Sequence, residues 1–437
     1  MPLVHSPAHP YHFDEQFPLR IHPLVLGTGR SVGNARSGRV SPHKDAEQGA
    51  GNDMELRVER DALADAVVWT ARSLPARPPM QVLLGLLLDV GDQGLEISGF
   101  DYEVSSRVRL PASTDSPGRV LVPGRLLSDI VRSLPPAPVD LRLEGTRVVL
   151  TCGPARFTLP TLPVEDYPAL PAMPTVAGTL GSDVFEAAVR QVALAAGRDD
   201  TLPVLTGVRF EIEGDQLTLA ATDRYRLAVR TLTWRPADPD VSTTALVPAR
   251  TLAETAKALT SGPEVTLALS GAGSHEGMIG FEGAGRRTTS RLLEGEFPKY
   301  RSLLPSESTA LAEVATAPFV EAVKRVALVA ARNAPVRLGF SVDGVVLEAG
   351  GADDAQASEQ LECGWEGSAS GEPFQIAFNP QYLLDGLGAV DSDSTTLSFT
   401  GPTRPAVLTG KREHGAATGS GATADYRYLL MPVRLSG

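Results

Sequence analysis

The sequence predicts an α+β fold made of three similar domains in tandem, each with antiparallel sheets and two helices. Three observations support this prediction. The 437 residues suffice for about three domains of roughly 150 residues each. Most segments show the apolar alternation of strands, and fewer show helical spacing. Above all, one order of helices and strands occurs three times along the chain.

The composition is that of an ordinary globular protein. Hydrophobic residues make up 42% of the chain, yet no run of about 18 uncharged apolar residues is present. The N-terminus lacks a signal-peptide pattern, so we expect a cytoplasmic protein without membrane contacts. The two cysteines, Cys152 and Cys363, lie far apart, which argues against a disulfide framework or a cysteine metal site. We expect no metal and no cofactor.

The net charge of −12 excludes a protein that coats nucleic acid over its whole surface, because phosphate neutralisation requires lysine and arginine. A local basic surface is compatible with this charge, since basic side chains outnumber acidic ones on the six predicted helices. These helices either have ordinary solvated faces or face a polyanion together. Only His275 and His414 lie beyond residue 53, which removes most histidine-based catalytic schemes.

Residues 1–53 are rich in Pro, Gly, His and Arg and show no sustained periodicity, which predicts a disordered extension. Two alternatives stay open. His5, His9 and His12 could form a metal-binding arm. Alternatively, translation could begin at Met54, where regular structure starts.

A first domain is predicted over 54–173. A strand at 54–60 leads into a helix over Asp61–Ser73, and a second helix covers Gly124–Leu134. Between the helices, two strands flank a turn at Asp92–Gly94. These two strands cover residues 82–90 and 94–100, and three further strands are predicted after the second helix, at Val139–Leu143, Arg147–Cys152 and Arg156–Leu159.

The same order returns in predicted domains over 174–305 and 306–437. Residues 245–259 match residues 120–134 with an offset of 125, and the next offset is 132, measured from Pro248 to Pro380. A unit of this length exceeds a solenoid repeat of about 20 to 50 residues, so each copy should have its own core. The first helices of these copies are predicted at Ser182–Ala196 and Ala317–Arg332.

The stretch from Leu217 to Val229 interrupts the alternation with a dense polar cluster. Leu217, Leu219 and Ala221 share one strand face, and the pattern restarts at Leu227. The corner between them carries arginines and a tyrosine instead of the Asn-Gly or Asp-Gly typical of a tight hairpin. The stretch is therefore either an ordinary exposed turn or part of a contact surface.

Five motifs together closely resemble the bacterial DNA polymerase III beta subunits, the DNA sliding clamps. They are the threefold repeat, ATDRYRLAV, the LLEGEFPKYRSLLP linker, the FNPQYLLDGL helix start and the terminal YLLMPVRL. The resemblance covers Met54 to Gly437. It implies the DNA clamp fold, a ring-shaped homodimer around duplex DNA, and a processivity factor without a catalytic site. Enclosure also explains how an acidic protein can serve DNA with few phosphate contacts.

The resemblance implies a pocket between the second and third domains that binds short linear peptides. Its partners would be the polymerase III alpha subunit, the clamp loader, other polymerases and repair proteins. The pocket residues carried over by motif are Leu205, Thr222, Arg224, Tyr225, Arg226, Leu227, Pro298, Leu303, Asn379, Tyr382, Leu429, Met431, Pro432, Val433, Arg434 and Leu435. Residues Leu429 to Leu435 could instead be an edge strand of their own domain.

Two further surfaces follow from the resemblance. The residues expected to face DNA are Arg77, Arg125, Arg132, Arg198, Lys257 and Arg332. The residues expected at the subunit interface are Arg156, Phe157, Leu159, Leu328 and Val329, although the apolar ones could be core.

The chain also departs from the family pattern. Arg224 stands where many members have glycine, Ser302 replaces a common arginine, and Met80-Gln81 replaces a proline. A Gly/Ala/Thr-rich insert lies between Arg412 and Asp425. These departures motivate an alternative, a specialised second-copy clamp with altered partner or inhibitor selectivity.

An enzyme is the rival from another class. It would need a phosphate-binding loop or an acid and base pair. GTGRSVG at 27–33 fails the Walker pattern, and GAGSHEG at 271–277 fails the dinucleotide pattern. The sequence therefore favours a non-enzymatic clamp.

Overall fold

The computed structural model describes residues 54–270, 277–331, 334–351, 355–367, 373–410 and 425–434. The predicted extension over 1–53, with the alternatives placed on it, lies outside the described residues. The insert between Arg412 and Asp425 also lies outside the described residues.

Three tandem domains repeat one succession of elements. The first contains β1 (Glu55–Val58), α1 (Arg60–Thr70), β2 (Gly85–Gly91), β3 (Gly94–Phe100), β4 (Val104–Leu110), β5 (Ser113–Ser116), β6 (Gly118–Pro123), α2 (Gly124–Ser133), β7 (Val139–Glu144), β8 (Arg147–Cys152) and β9 (Ala155–Pro160). The second contains β10 (Thr175–Gly181), α3 (Ser182–Ala193), β11 (Gly207–Glu213), β12 (Gln216–Thr222), β13 (Arg226–Thr233), β14 (Arg235–Pro236), β15 (Ser242–Pro248), α4 (Ala249–Ala258), β16 (Glu264–Leu269), β17 (Met278–Gly283) and β18 (Arg286–Arg291).

The third domain follows the same plan. It contains β19 (Ala310–Ala315), α5 (Thr316–Val326), β20 (Val336–Ser341), β21 (Gly344–Ala349), β22 (Ala357–Leu361), β23 (Gly364–Glu366), β24 (Phe374–Phe378), α6 (Pro380–Ala389), β25 (Ser394–Phe399), β26 (Ala406–Gly410) and β27 (Asp425–Leu430).

The first helix of each domain buries the same four positions. In α3 these are Phe185, Ala188, Val189 and Val192, whose spacing of three, four and seven residues places them on one face. The equivalent positions of α1 and α5 are buried as well. Each first helix packs against the second helix of its domain, so the helices come in three pairs.

Two nine-stranded antiparallel sheets cross the domain boundaries. One has the order β14-β10-β16-β17-β18-β4-β3-β2-β6, in which β18 of the second domain pairs with β4 of the first. The other has the order β15-β11-β12-β13-β27-β26-β25-β19-β23, in which β13 pairs with β27 of the third domain. Backbone hydrogen bonds therefore join the consecutive domains.

Each of the two remaining sheets stays within one domain. A five-stranded sheet, β5-β1-β7-β8-β9, belongs to the first domain, and a four-stranded sheet, β22-β21-β20-β24, belongs to the third. One large core cluster includes residues of the second and third domains, and another fills the first.

Four sequence predictions need correction. Residues Gln81–Leu84 form a 3-10 helix, and the predicted strand begins only at Gly85, because a short apolar run alone does not distinguish helix from strand. The first helices of the second and third domains end at Ala193 and Val326. The second offset is 131 and not 132, because Pro248 and Asn379 are the equivalent N-cap residues of α4 and α6.

Candidate functional site

The polar stretch singled out in the sequence is the turn between β12 and β13. Asp223 Oδ1 accepts hydrogen bonds from the backbone N–H groups of Tyr225 and Arg226, both at 3.0 Å. Thr222 Oγ1 donates to the carbonyl of Arg226 at 2.7 Å. Arg224 adopts φ of +79°, a left-handed conformation that favours glycine. Side-chain capping by Asp223 and Thr222 thus holds a turn that Arg224 itself disfavours.

Arg226 is the charged centre of this site. Its side chain is only 7% exposed and donates to Asp223 at 3.0 Å and to Asp385 of α6 at 2.5 Å. Its guanidinium also lies 4.5 Å from the centroid of the Tyr382 ring. Burial lowers the pKa of Arg226, but its charge interactions and hydrogen bonds with Tyr428, Asp385 and Asp223 outweigh this effect and raise the pKa above the ordinary arginine value. A fully charged arginine therefore links the second domain to the third.

The C-terminal segment closes the site from the other side. Strand β27 lies between β13 and β26, and beyond it the N–H of Met431 donates to the carbonyl of Tyr225 at 2.9 Å. The N–H of Val433 donates to the carbonyl of Ala377 at 2.8 Å. Met431 and Val433 keep exposed side chains. The predicted pocket residues Pro432 and Arg434 belong to this segment, whereas Leu435 lies outside the described residues.

A cavity of about 860 Å³ lies between the turn, the loop after α3 and the start of α6. Five predicted pocket residues line it: Leu205, Arg224, Tyr225, Arg226 and Tyr382. The Tyr225 and Tyr382 rings stack with centroids 6.2 Å apart. Asn379 caps α6 by accepting from the N–H groups of Gln381 and Tyr382.

The cavity also contains residues that the sequence did not assign to it. Arg198, predicted to face DNA, lines this cavity next to Asp199. Hydrogen bonds from Thr201 lower the pKa of Asp199, and the positive charge of Arg224 lowers it further. The sequence prediction of the pocket omits Gln381 and Asp385, which both line the cavity. Asp385 follows Tyr382 by three residues, so helical spacing alone predicts that the two side chains share one face of α6.

The remaining pocket residues support the site from below or lie on the linker. Leu227 and Leu429 are buried in one cluster with Phe297 and Tyr300 of the linker. Thr222 is also buried, whereas Pro298 and Leu303 are exposed. Ser302, one of the departures, donates to the carbonyl of Lys299 at 2.7 Å.

Glu211 attaches the linker to β11. It accepts hydrogen bonds from Tyr300 Oη at 2.7 Å and from Arg301 at 2.6 Å. Burial raises the pKa of Glu211, but the hydrogen bonds from Tyr300, Arg209 and Arg301 outweigh it and lower the pKa below its usual value.

Basic side chains lie along the paired helices. Arg190, Arg198, Arg250 and Lys257 line a groove of about 960 Å³ between α3 and α4. Arg125 donates to the carbonyl of Pro75 at 3.2 Å. Among the other predicted DNA-facing residues, Arg77 and Arg132 are exposed, and Arg332 lies outside the described residues.

The predicted interface residues lie near the two sheets that stay within one domain. Arg156 and Phe157 belong to β9, the edge of the five-stranded sheet. Leu159 is buried in the core of its own domain, in agreement with the alternative that it is core. Leu328 is 84% exposed, and Val329 packs partly against the core.

Within the described ranges, no cluster of three or more His, Cys, Asp or Glu side chains could hold a metal ion. In the same part of the chain, no helix has both the length and the apolar composition of a membrane span.

Comparison with known families assigns each domain. The N-terminal, central and C-terminal domains of the DNA polymerase III beta subunit match residues 54–171, 179–299 and 301–419. The chain belongs to the beta subunit family of bacterial DNA sliding clamps. Clamps are processivity factors without a catalytic site of their own, so the enzyme alternative is set aside.

Individual clamps agree with this assignment. The chain is 60% identical to the beta sliding clamp of Streptomyces coelicolor over 88% of its own length and all of that protein. It is 44% identical to the beta sliding clamp homolog GriR of Streptomyces muensis, over 87% of this chain and 99% of that one. A solved clamp of Pseudomonas aeruginosa bound to griselimycin matches with a TM-score of 0.78 and 27% identity, over 87% of this chain and all of that one.

Proposed function

We propose that two copies of this clamp close into a ring around duplex DNA and that partner proteins dock by short peptides between the second and third domains. The observation that carries this proposal is the repeated pairing of domains through their sheets. Such a ring would act in the cytoplasm, hold duplex of any sequence by enclosure, and increase polymerase processivity.

The free sheet edges support a homodimer. Strands β4 and β13 are equivalent in the first two domains, and each pairs with the last strand of the next domain. The equivalent strand of the third domain is β22, and the equivalent last strand of the first domain is β9; both are sheet edges within the described chain. Pairing of β22 in one copy with β9 in another would form a third nine-stranded sheet and remove both edges.

Substitution at this proposed interface tests the ring. Leu328→Glu places a charge on an apolar side chain that is already exposed, so the subunit should fold while the dimer weakens. Val342→Glu is the matched control, because Val342 is 78% exposed in the β20–β21 turn. Sedimentation at micromolar concentration should give a monomer for the first variant only. A native chain that is itself monomeric there would contradict the proposal.

Topological retention tests the DNA function. The ring, once loaded, should stay on nicked circular DNA and leave after linearisation, because enclosure requires no strong phosphate contacts. Equal retention on both forms would indicate ordinary DNA binding and contradict enclosure.

The proposed peptide site contains apolar, adaptable and hydrogen-bonding groups. Leu205 and the two stacked tyrosines offer apolar surface, Met431 can adapt to different side chains, and Arg226 is held rigidly at the base. We infer that the polymerase III alpha subunit, the clamp loader, other polymerases and repair proteins use it. Domain boundaries near 173 and 305 remain part of this proposal.

Fluorescence anisotropy with a labelled, leucine-rich clamp-binding peptide tests the site. Deletion of residues 431–435 and Tyr382→Ala should each weaken binding by about tenfold or more. Val176→Ala, which shortens an exposed side chain of β10 outside the cavity, is the control and should have no effect. Unchanged affinity in both pocket variants would contradict this site.

Arg224 favours the second candidate, a second-copy clamp with altered selectivity. Its charge lies in the cavity at a position where glycine would fit the backbone better. Partner-binding profiles of the native chain and Arg224→Gly distinguish the candidates, since identical profiles would leave no support for altered selectivity at this residue.

A further inference from the structure

The junction between the first and second domains has the same backbone frame as the candidate peptide site. Asp101 Oδ1 accepts from the N–H groups of Glu103 and Val104, as Asp223 does in the β12–β13 turn. Tyr102 has φ of +75°, close to the +79° of Arg224. The β3–β4 turn is therefore the structural counterpart of the β12–β13 turn.

The neighbouring elements are equivalent as well. The N–H of Arg291 donates to the carbonyl of Glu103 at 2.9 Å, which reproduces the bond from Met431 to Tyr225. Arg250, Thr251 and Glu254 of α4 line a cavity at this junction. They occupy the helix positions that Gln381, Tyr382 and Asp385 occupy in α6, counted from the N-caps.

The decisive difference lies at the floor of this cavity. Tyr428 of β27 fills the space below α6, so close that a Cβ on Gly386 would lie 2.4 Å from its ring. The equivalent residue of β18 is Thr288, which is much smaller. A cavity of about 480 Å³ remains, with Thr288 in its lining, and the buried Thr288 Oγ1 has no hydrogen-bond partner among the described residues. A buried hydroxyl of this kind requires a partner.

The mouth of the cavity is basic. Arg72, Arg125 and Arg250 line it, all with exposed side chains. Two acidic side chains also line the cavity: Asp101 accepts backbone N–H groups, and Glu254 pairs with Arg250 at 3.3 Å. Arg72 and Arg125 are therefore the arginines of this lining that have no carboxylate partner among the described residues. Next to the turn, the exposed side chains of Met80 and Tyr102 touch at 3.4 Å. The surface thus combines positive charge with apolar contact area.

We propose that this junction is a second docking site, which binds a short acidic segment of a partner protein and receives one of its carboxylates near Thr288. The site goes beyond the proposed peptide pocket, since it lies at a different domain junction and takes a ligand of different charge. A glutamate side chain is long and narrow enough to enter a recessed cavity, whereas a duplex phosphate is fixed on the outside of the double helix. Exposed apolar side chains would also gain nothing from phosphates but can pack on a leucine.

The test uses the full chain and a fluorescein-labelled peptide of alternating glutamate and leucine, with a glutamine-for-glutamate version as control. Thr288→Val removes the hydroxyl at nearly constant volume, and Arg72→Gln removes one charge from an exposed position. We expect each variant to weaken binding of the glutamate peptide by about fivefold or more, with little effect on the glutamine peptide. Tyr382→Ala should leave the glutamate peptide unaffected while it weakens the leucine-rich clamp peptide.

Three results would overturn the proposal. The glutamate peptide could lose affinity through Tyr382→Ala and not through Thr288→Val, which would assign it to the other pocket. Short duplex DNA could displace the glutamate peptide while Arg72→Gln weakens only the binding of DNA, which would show that this surface binds DNA. Binding could also fail to saturate at about millimolar concentration. Because Tyr382→Ala is measured with both peptides, failure of this site and failure of the proposed function give different results.

Discussion

The N–H of Met431 and the carbonyl oxygen of Tyr225 form a 2.9 Å hydrogen bond between the third and second domains. This bond extends the β13–β27 ladder by one residue and places the exposed Met431 side chain beside the turn. The same geometry recurs between Arg291 and Glu103. Both domain junctions therefore share one backbone arrangement, and the side chains around it determine which ligand each junction can bind.

Arg224→Gly should raise the free energy of unfolding by up to about 1 kcal/mol. The left-handed conformation costs a non-glycine residue about 1 to 2 kcal/mol, and the added backbone entropy of glycine offsets about half of that. Ala284→Gly is the control, because Ala284 has φ of +51° away from the cavity. Denaturant unfolding should show a gain for both variants, and anisotropy with the leucine-rich clamp peptide should show a changed affinity for Arg224→Gly alone. A loss of stability in both variants would contradict the strain argument.

Arg226→Met should destabilise the chain by about 3 kcal/mol. The substitution leaves Asp223 and Asp385 without the buried cation that both contact. Arg57→Met is the comparison, because the Arg57–Asp140 pair is exposed, with side-chain exposures of 63% and 45%. Urea midpoints should move strongly for Arg226→Met and hardly at all for Arg57→Met. Similar shifts would show that burial does not determine the strength of these pairs.

Two glycines of α6 should respond in opposite directions to alanine. Gly386→Ala should destabilise by about 2 kcal/mol, because the new Cβ would lie 2.4 Å from the Tyr428 ring. Gly388→Ala should stabilise by about 0.5 to 1 kcal/mol, because nothing lies within 4 Å of its Cβ position and alanine favours the helix. Thermal unfolding measures both. Changes of the same sign would contradict the packing assigned to Tyr428.

Glu211 should make stability depend on pH in the acid range. Its pKa is lowered in the folded chain, so its stabilising contribution is complete above the ordinary glutamate pKa of about 4.3 and is lost as pH falls through the lower folded value. Glu211→Gln should destabilise at neutral pH, and its difference from the native chain should shrink below about pH 4. Tyr300→Phe should have an intermediate effect, because it removes one donor to the carboxylate. If the free energies of unfolding of the native chain and of Glu211→Gln differ by the same amount at every pH, the lowered pKa of Glu211 is contradicted.

Local features of the site could be predicted from the sequence, and distant pairings could not. The turn at Asp223 was visible because it interrupts a strand pattern within a few residues. Asp385 is 159 residues from Arg226, so nothing in its spacing indicated their contact. The family resemblance predicts that Arg198 faces DNA, and in the structure the loop after α3 places it at the cavity as well as at the helix groove. The cavity above Thr288 could not be predicted, because it depends on β18 and β27 occupying equivalent positions beside β4 and β13, and these pairings join residues far apart in the sequence.

The position of β27 has a consequence for synthesis of the protein. This strand is the last that the structure describes, yet it lies between β13 and β26, contains the fully buried Tyr428 and is followed directly by Met431 with its contact to Tyr225. While the chain is being translated, the second and third domains lack the strand that joins them, and the candidate pocket lacks one wall. A nascent clamp therefore cannot present a complete docking site until synthesis has passed Met431 and β27 has inserted between β13 and β26.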